Sequence, residues 1–563
     1  MPASKFRRHF TDSAVVWLGW FLGIGVPVVF LAVFFLLPTS HLIARGFVSD
    51  SGSLDFTGLS EVLSRSRTWR IIWQTLWMAL VATLVCLVLA LPGAWTLYRT
   101  RFPGRALLRG VVAVPFVLPS VVVGVAFRSV LGPNGPLEWL GLDGTATAII
   151  LGMVFFNFSL AVRTVGNLWV RLDPRTEQAA AALGAGPWRR FFTVTLPRLL
   201  PAFAAAGAMV FLFCTTAFGL VLILGGSRTG TVETEIYFLT TGLLDLRSAA
   251  VLSIVQLVVI AFSLWLGARA RRWGASTQKL RTDVSAHPLS RADLPAFFLT
   301  VTVILGLIVF PLTHLLWRSL HRSGAFTFAN YSDLARSDAA RVLRGSVLES
   351  AWHSIEVGLV ATLVALVVAL GISVVTTRRL RGVWGRRALA GLDALFMLPL
   401  GVSAVTVGFG FLITLNRPPV DLRGSWWLIP LAQAMVAIPL VVRVVTPVLA
   451  SIDPRQREVA AVLGAGPARV LWSVEGPYIL RSLAVGGAFA FAMSLGEFGA
   501  TAFLVRPDST TLPVAIYRLL SLPQAQAQGM ALAGSALLAL LSGGVMALVE
   551  GLSDRRASTG GGR

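Results

Sequence analysis

The segment LDPRTEQAAAALGAGP (172–187) returns 280 residues later as IDPRQREVAAVLGAGP (452–467). The same offset relates four further matches: FVLP (116–119) with FMLP (396–399), Arg163 with Arg443, Phe218-Gly219 with Phe498-Gly499, and Ile236-Tyr237 with Ile516-Tyr517. A chance motif would not hold one offset over so many separate segments. The repetition therefore predicts two copies of one structural unit.

Apolar stretches long enough to cross a bilayer occur throughout the chain. Of the 563 residues 55% are hydrophobic and 13% are charged, whereas soluble domains carry about 25% charged residues. This composition excludes a soluble enzyme. A spanning helix needs about 20 apolar residues, and twelve stretches qualify: Ala14–Leu37, Ile71–Tyr98, Leu108–Phe127, Ala146–Val162, Leu200–Leu224, Ala249–Leu266, Leu294–Leu316, Ser354–Thr376, Ala388–Leu412, Trp426–Val442, Ser482–Leu504 and Met530–Leu548.

The repeat and the spans together predict the domain organisation. Residues 1–268 form a first repeat of six spans, residues 269–293 a cytoplasmic linker, and residues 294–563 a second repeat. Because six is even, both copies enter the membrane in the same orientation. We expect an all-α polytopic membrane protein of twelve transmembrane helices, arranged as two parallel six-helix repeats.

The net charge of +22 is distributed unevenly over the predicted loops. With the amino terminus inside, 32 of the 48 Lys and Arg residues fall on the inner side and 16 on the outer side. Such an excess is typical of cytoplasmic loops. The pattern predicts that both termini are cytoplasmic, and it explains the basic charge without nucleic-acid binding.

The two repeated loops, about 171–198 and 451–478, share one design. Asp173 and Asp453 each precede Pro and are predicted to start a short helix. Helix formers follow as far as Leu183 and Leu463, the helix ends at Gly, and a second short helix is predicted over Trp188–Val194. A loop packed on its own bundle is the alternative for one copy. Two copies on the same side favour a docking surface for another protein.

The spacing Glu-Ala-Ala, three residues, Gly, nine residues, Ile-x-Leu-Pro resembles the cytoplasmic signature of permease subunits of ATP-binding-cassette importers. Gln178 stands at the usual Glu position with Glu177 one residue early, and Gly476 replaces the usual Leu. The resemblance implies a type I importer permease fold, two cytoplasmic ATPase copies bound by coupling helices, and an extracytoplasmic binding protein as partner. It assigns ATPase coupling to Asp173, Glu177, Gln178, Ala179, Ala180, Gly184, Pro187, Asp453, Glu458, Ala460, Ala461, Gly464 and Pro467.

The resemblance covers nearly the whole chain and is strongest to fused double permeases for thiamine and ferric iron. The segment TVETEIY (231–237) is similar to thiamine permeases, while SLGEFG (494–499) is also similar to molybdate and sulfate permeases. We therefore expect import of thiamine, a related small cation or ferric iron. A permease for an oxyanion and an ion-gradient-driven transporter of twelve spans are the alternatives.

The chain carries no sequence for ATP hydrolysis. A phosphate-binding loop needs Gly-x-x-x-x-Gly-Lys followed by Ser or Thr, and the two lysines, Lys5 and Lys279, lie in no such context. The histidines show no metal-ligand spacing. We expect a transport subunit that is not an enzyme and holds neither a metal nor a cofactor, with ATP and Mg²⁺ on the partner subunits.

Polar residues inside spans are candidates for the translocation pathway. An ionised carboxylate within the bilayer costs about 2.5–3.5 kcal/mol, so Glu497 is expected to face a cavity, a partner or water. A helix-packing role is the equal alternative for Glu497, and contacts between helices are favoured for the others. The further candidates are Ser494, Thr215, Thr216, Asn157, Gln256 and Gln433.

Overall fold

A computed structural model describes most of the chain. The residues described are 21–47, 55, 57–226, 229–275, 286–336, 343–377, 391, 396, 398, 402–417, 420–422, 424–506 and 508–560. Ten helices among them are long and apolar enough to span a membrane: α1 (Gly23–Phe47), α2 (Ser66–Arg99), α3 (Ala146–Arg171), α4 (Pro187–Thr215), α5 (Leu246–Arg269), α6 (Arg291–Ser319), α7 (Val347–Thr377), α8 (Leu428–Ala450), α9 (Trp472–Gly496) and α10 (Ala525–Ala547). The predicted all-α polytopic membrane class is confirmed.

Shorter elements connect these helices. The short helices are Thr57–Ser64, Arg175–Ala182, Gly219–Leu224, Val232–Thr241, Ala329–Ser332, Ala404–Thr414, Pro454–Val462, Thr501–Leu504 and Leu512–Leu520. The strands are β1 (Thr100–Arg101), β2 (His287–Pro288), β3 (His321–Arg322), β4 (Ala325–Phe326), β5 (Asn416–Arg417) and β6 (Val420–Asp421). β1 pairs with β2 in parallel, and the pairs β3–β4 and β5–β6 are antiparallel.

The predicted span Leu108–Phe127 is not one continuous helix. The helices Arg105–Phe116 and Ser120–Leu131 occupy this stretch and meet at an angle of 106°. Pro119 stands at the break with φ −59° and ψ 141°, an extended conformation. Because Pro lacks the N–H of the helical ladder, the helix cannot run through it undisturbed. The matching prediction in the second repeat, Ala388–Leu412, lies partly outside the described residues, which place a helix at Ala404–Thr414.

The predicted spans Leu200–Leu224 and Ser482–Leu504 are also not continuous. The helix α4 ends at Thr215 and a separate helix begins at Gly219. In the second repeat, α9 ends at Gly496 and a short helix begins at Thr501. Both repeats therefore interrupt the span that follows the repeated loop.

The chain forms two compact units that cut across the predicted repeat boundaries. Unit A comprises the described residues of Gly46–Asp333 and Leu520–Ala536, and unit B those of Met1–Arg45, Leu334–Leu519 and Leu537–Arg563. Unit A therefore includes α6 from the second repeat, and unit B includes α1 from the first. The predicted boundaries at 268 and 294 describe the repeat in the sequence and not these units.

Close contacts hold α6 in unit A and α1 in unit B. In unit A, the Nε1 of Trp95 on α2 donates to Oδ1 of Asp293 on α6 at 2.8 Å. In unit B, a Cβ at Gly371 on α7 would lie 3.0 Å from the carbonyl oxygen of Gly23 on α1. Glycine thus permits α1 to approach α7 closely.

The described part of the predicted linker contains regular secondary structure. The helix that contains α5 continues as far as Ala275. Further on, the pairs Thr100–His287 and Arg101–Pro288 join β1 to β2. Residues 276–285 lie outside the described part.

Candidate functional site

The first repeated loop contains the predicted short helix, Arg175–Ala182. The carboxylate of Asp173 accepts a hydrogen bond from the backbone N–H of Arg175 at 3.0 Å and so caps the helix start. At the other end, Gly184 has φ +80°. Its N–H donates to the carbonyl of Ala181 at 2.9 Å, while the N–H of Ala185 donates to that of Ala180 at 3.0 Å. These bonds form a Schellman motif, which favours Gly at the left-handed position.

The second repeated loop reproduces this arrangement over Pro454–Val462. Asp453 accepts from the N–H of Arg455 at 2.9 Å, and Gly464 has φ +83°. The N–H groups of Gly464 and Ala465 donate to the carbonyls of Ala461 and Ala460, both at 3.0 Å. After the role that the resemblance predicts for them, which stays a prediction, we name the helices Arg175–Ala182 and Pro454–Val462 the first and second coupling helix.

Large apolar side chains are exposed beside both coupling helices. Leu183 is 89% exposed, and its repeat counterpart Leu463 is 81% exposed. Val462 is 87% exposed, and Trp188 and Trp472 are also mostly exposed. Exposed apolar residues grouped in this way mark surfaces that another molecule covers.

The two coupling helices are anchored by contacts of opposite polarity. Glu177 accepts a hydrogen bond from the hydroxyl of Thr195 at 2.8 Å and lies 3.7 Å from Nη2 of Arg99. In the second repeat Arg457 replaces Glu177 and Glu475 replaces Thr195, and their Nε and Oε1 atoms are 2.7 Å apart. The contacts of Glu177 with Thr195 and of Arg457 with Glu475 tie each coupling helix to the helical segment that follows it, and the contact with Arg99 also joins the first coupling helix to the end of α2.

This geometry separates the candidate docking residues into two groups. The carboxylate of Glu177 contacts its own unit, whereas Gln178 and Glu458, at equivalent positions, are exposed. The remaining candidates, Ala179, Ala180, Pro187, Ala460, Ala461 and Pro467, lie on or beside the coupling helices. Arg457 and Glu475 were not singled out in the sequence analysis. The offset of the repeat makes them the equivalents of Glu177 and Thr195.

The predicted second short helix, Trp188–Val194, is wrong as a separate element. One helical segment runs from Pro187 through a π-helical turn at Phe191–Thr195 into the span that ends at Thr215. The wide turn precedes Pro197, so the missing N–H of Pro falls where the regular ladder is already interrupted. The coupling helix is therefore followed directly by a spanning helix.

Glu497 lies at the interruption that follows α9. It is 9% exposed, and its carboxylate accepts from the N–H of Ala500 at 2.8 Å and the N–H of Thr501 at 3.0 Å. The Thr501 hydroxyl also donates to this carboxylate and accepts from Nε2 of Gln433 at 3.2 Å. Nearby, the hydroxyl of Ser494 is buried without a hydrogen-bond partner among the described residues. The pathway role of these residues stays a prediction.

A different polar network occupies the first repeat. The Nε2 of Gln256 donates to the carbonyl of Thr215 at 3.0 Å and to Oε1 of Glu233 at 2.9 Å. The hydroxyls of Thr215 and Thr216 donate to the carbonyl of Leu212 on their own helix. This network connects the end of α4 with α5 and the helix Val232–Thr241. Glu233 is fully buried and was missed from sequence because it lies in a polar segment between spans.

Asn157 stands apart from this network. Its Nδ2 donates to the carbonyl of Met153 at 2.9 Å and contacts the sulfur of Cys214 on α4 at 3.5 Å.

Among the described residues, no three His, Cys, Asp or Glu side chains are grouped so that they could hold a metal ion.

Comparison with known proteins identifies the family. The binding-protein-dependent transport system inner membrane component matches residues 89–275 and 351–558. The thiamine transport system permease protein of Escherichia coli (strain K12) is 27% identical over 472 residues, which cover 80% of this chain and 84% of that protein. Its counterpart in Brucella abortus (strain 2308) is 27% identical over 90% of this chain and 91% of its own length. The molybdenum transport system permease protein of Azotobacter vinelandii is 35% identical over 161 residues, which cover 27% of this chain and 71% of that protein.

These matches confirm the predicted repeat and its resemblance to importer permeases. The family occurs twice in one chain, and the thiamine permeases match across both copies. The chain therefore belongs to the family of binding-protein-dependent transport system inner membrane components, as a fused double permease of an ATP-binding-cassette importer.

Proposed function

We propose that this chain passes a substrate into the cytoplasm in a complex with two ATPase subunits and an extracytoplasmic binding protein. The observation that carries the proposal is the duplicated coupling helix, with the same cap, the same left-handed Gly and an exposed Leu in both repeats. Each coupling helix would seat one ATPase copy. Both termini would be cytoplasmic, as the charge distribution predicts.

Thiamine is the proposed substrate. Its support is the extent of the match, since permeases named for thiamine align with both repeats. Ferric iron and an oxyanion are the competing substrates, and the molybdenum permease aligns with only 27% of the chain. An ion-gradient-driven transporter would have no use for two exposed coupling helices.

The mechanism follows from the anchoring of the coupling helices. ATP would bind and be hydrolysed on the partner subunits, with Mg²⁺ held there. Their closure would move Arg175–Ala182 and Pro454–Val462, and the contacts of Glu177 and Arg457 would pass this motion to the following spans. ATP shifts the populations of two states only if it binds them with different affinity. The interruptions after Thr215 and Gly496 would let the outer parts of these spans move separately.

ATP hydrolysis by the reconstituted complex tests this proposal. The chain, its ATPase and its binding protein are placed in proteoliposomes, and hydrolysis is compared with thiamine, ferric iron, molybdate or no substrate. We expect stimulation by thiamine alone. Stimulation by molybdate or iron would replace the substrate, and uptake by the chain alone under an ion gradient would overturn the ATP-driven function.

A further inference from the structure

An apolar groove runs between three spanning helices of unit A. The helix α4 packs against both α2 and α5, and the groove between them has a volume of about 490 Å³. Its lining residues are Leu80, Thr83, Ala204, Gly207, Ala208, Phe211, Phe262, Ser263, Leu266 and Arg269. Leu80, Phe262 and Leu266 are exposed, so the groove opens towards the surface that a bilayer would cover.

The polar side chains of the groove offer little to a polar ligand. The hydroxyl of Thr83 donates to the carbonyl of Ala79 at 2.7 Å, and that of Ser263 to the carbonyl of Val259 at 2.8 Å. Both hydroxyls thus use their protons within their own helices. An occupant of the groove must therefore be largely apolar, because a polar one would lose hydrogen bonds to water.

Charge is confined to one end of the groove. Arg269 is the last residue of α5 and the one charged residue of the lining, and in the described part of the chain it has no ion-pair partner. The charge distribution predicts that this end is cytoplasmic, and two further basic residues, Arg271 and Arg272, follow in the sequence. Basic pockets between spans on this side suit anionic lipid headgroups.

We propose that this groove binds an anionic phospholipid, with an acyl chain along the apolar wall and the phosphate at Arg269. The occupant is a lipid because spanning helices form the groove and the lipids of the bilayer surround these helices. The second repeat provides a comparison, since Ala484 is the counterpart of Ala204 and is also exposed, while Val549 replaces Arg269. This proposal does not depend on the identity of the transported substrate.

Native mass spectrometry of the purified full-length chain tests the proposal. Phosphatidylglycerol and phosphatidylethanolamine with the same acyl chains are supplied in equal amounts, and the lipid retained by each protein is counted. One basic group near the membrane surface corresponds to about a fivefold preference for an anionic lipid. We expect the wild-type protein to retain phosphatidylglycerol with about that preference.

Two variants, each with a matched control, distinguish the contribution of the apolar wall to lipid binding from that of Arg269. Ala204→Trp fills the groove and is expected to abolish lipid retention, whereas Ala484→Trp is expected to leave it unchanged. Arg269→Gln is expected to remove the preference for phosphatidylglycerol without reducing total lipid, whereas Arg171→Gln, at the exposed end of α3, keeps the preference.

Three results would overturn the proposal. They are equal retention of both lipids by the wild-type protein, wild-type retention by Ala204→Trp, and an unchanged preference in Arg269→Gln. Inorganic phosphate is added in a separate arm, and it is expected to displace no lipid. Displacement by phosphate would instead identify Arg269 as part of a site for free anions.

Discussion

The Nε of Arg457 lies 2.7 Å from Oε1 of Glu475, and this ion pair fastens the second coupling helix to the helical segment that follows it. The equivalent positions of the first repeat hold Glu177 and Thr195, joined by a hydrogen bond. The two repeats thus keep the same connection but exchange the side that carries the acid. In the mechanism proposed above, a docked ATPase moves the spans through this connection.

Arg457→Ala is expected to lower both stability and coupling. Glu475 is nearly fully buried, and removing one partner of a buried pair costs about 3–5 kcal/mol. Part of that cost is relieved here because Arg457 is partly exposed. We expect a lower midpoint of thermal unfolding and fewer substrate molecules transported per ATP. Arg481→Ala, at an exposed position of α9 outside the second coupling helix, is the control and should change neither quantity.

Exchanging both Arg457 and Glu475 tests whether the acid can stand on either side of this connection. Arg457→Glu alone should be worse than Arg457→Ala because it brings two acids together. Adding Glu475→Thr reproduces the first repeat's pair and should recover part of the thermal stability. A double variant no more stable than Arg457→Glu would show that the two connections are not equivalent.

Replacing both Gly184 and Gly464 by Val is expected to uncouple ATP hydrolysis from transport. Both glycines have positive φ, where a β-branched residue is strained by about 1–2 kcal/mol, although a Cβ would meet no atom within 4 Å at either position. Gly110→Val is the matched control, because its Cβ also meets open space and its φ is not positive. Transport per ATP should fall in the double variant and not in the control. Normal uptake by the double variant would contradict the assigned role of these loops.

Glu497 variants distinguish a loop-organising role from a pathway role. The carboxylate accepts two backbone N–H groups, and leaving buried donors unsatisfied costs about 1–3 kcal/mol each. Glu497→Ala should therefore lower thermal stability, and Glu497→Gln should lower it less because one acceptor oxygen remains. A pathway role would instead raise the KM for transport in Glu497→Gln while its stability stayed close to wild type. Glu356→Gln, at a partly exposed position of α7, serves as the control in both measurements.

Asp55 gives a dependence of stability on pH. Hydrogen bonds from Thr57 and Arg247 lower the pKa of Asp55 to about 2, against about 3.9 in an unfolded chain. The folded state therefore binds this proton less readily, so the contribution of Asp55 to stability is complete above pH 4 and is lost as the pH falls through 2. The destabilisation by Asp55→Asn should be constant from pH 7 to 5 and shrink below pH 4 in thermal unfolding. A constant difference down to pH 2 would contradict this pKa.

Local sequence signals predicted the loops well, because their geometry depends on few residues. The Asp caps and the left-handed glycines at 184 and 464 follow from short-range backbone requirements, and the structure places them as expected. The resemblance to importer permeases in the sequence analysis rests on the same segments, and the predicted repeat rests on one constant offset.

Features that depend on distant contacts were not predictable in this way. The apolar stretch continues past Thr215, so the sequence does not show the interruption of the helix before Gly219. The burial of Glu233 depends on Gln256, which lies on another helix. The packing of α1 with α7 joins residues more than 300 positions apart, and no local pattern encodes it.

Cross-linking to the ATPase tests the central claim most directly. Cys is placed at Leu183 or Leu463 in a chain whose two buried cysteines, Cys86 and Cys214, are replaced. Trp139→Cys, at an exposed position on the predicted outer side, is the control. The account predicts that each loop cysteine cross-links to one ATPase subunit, that a chain carrying both captures two, and that the control captures none. Capture at only one loop, at neither, or equally at the control would contradict it.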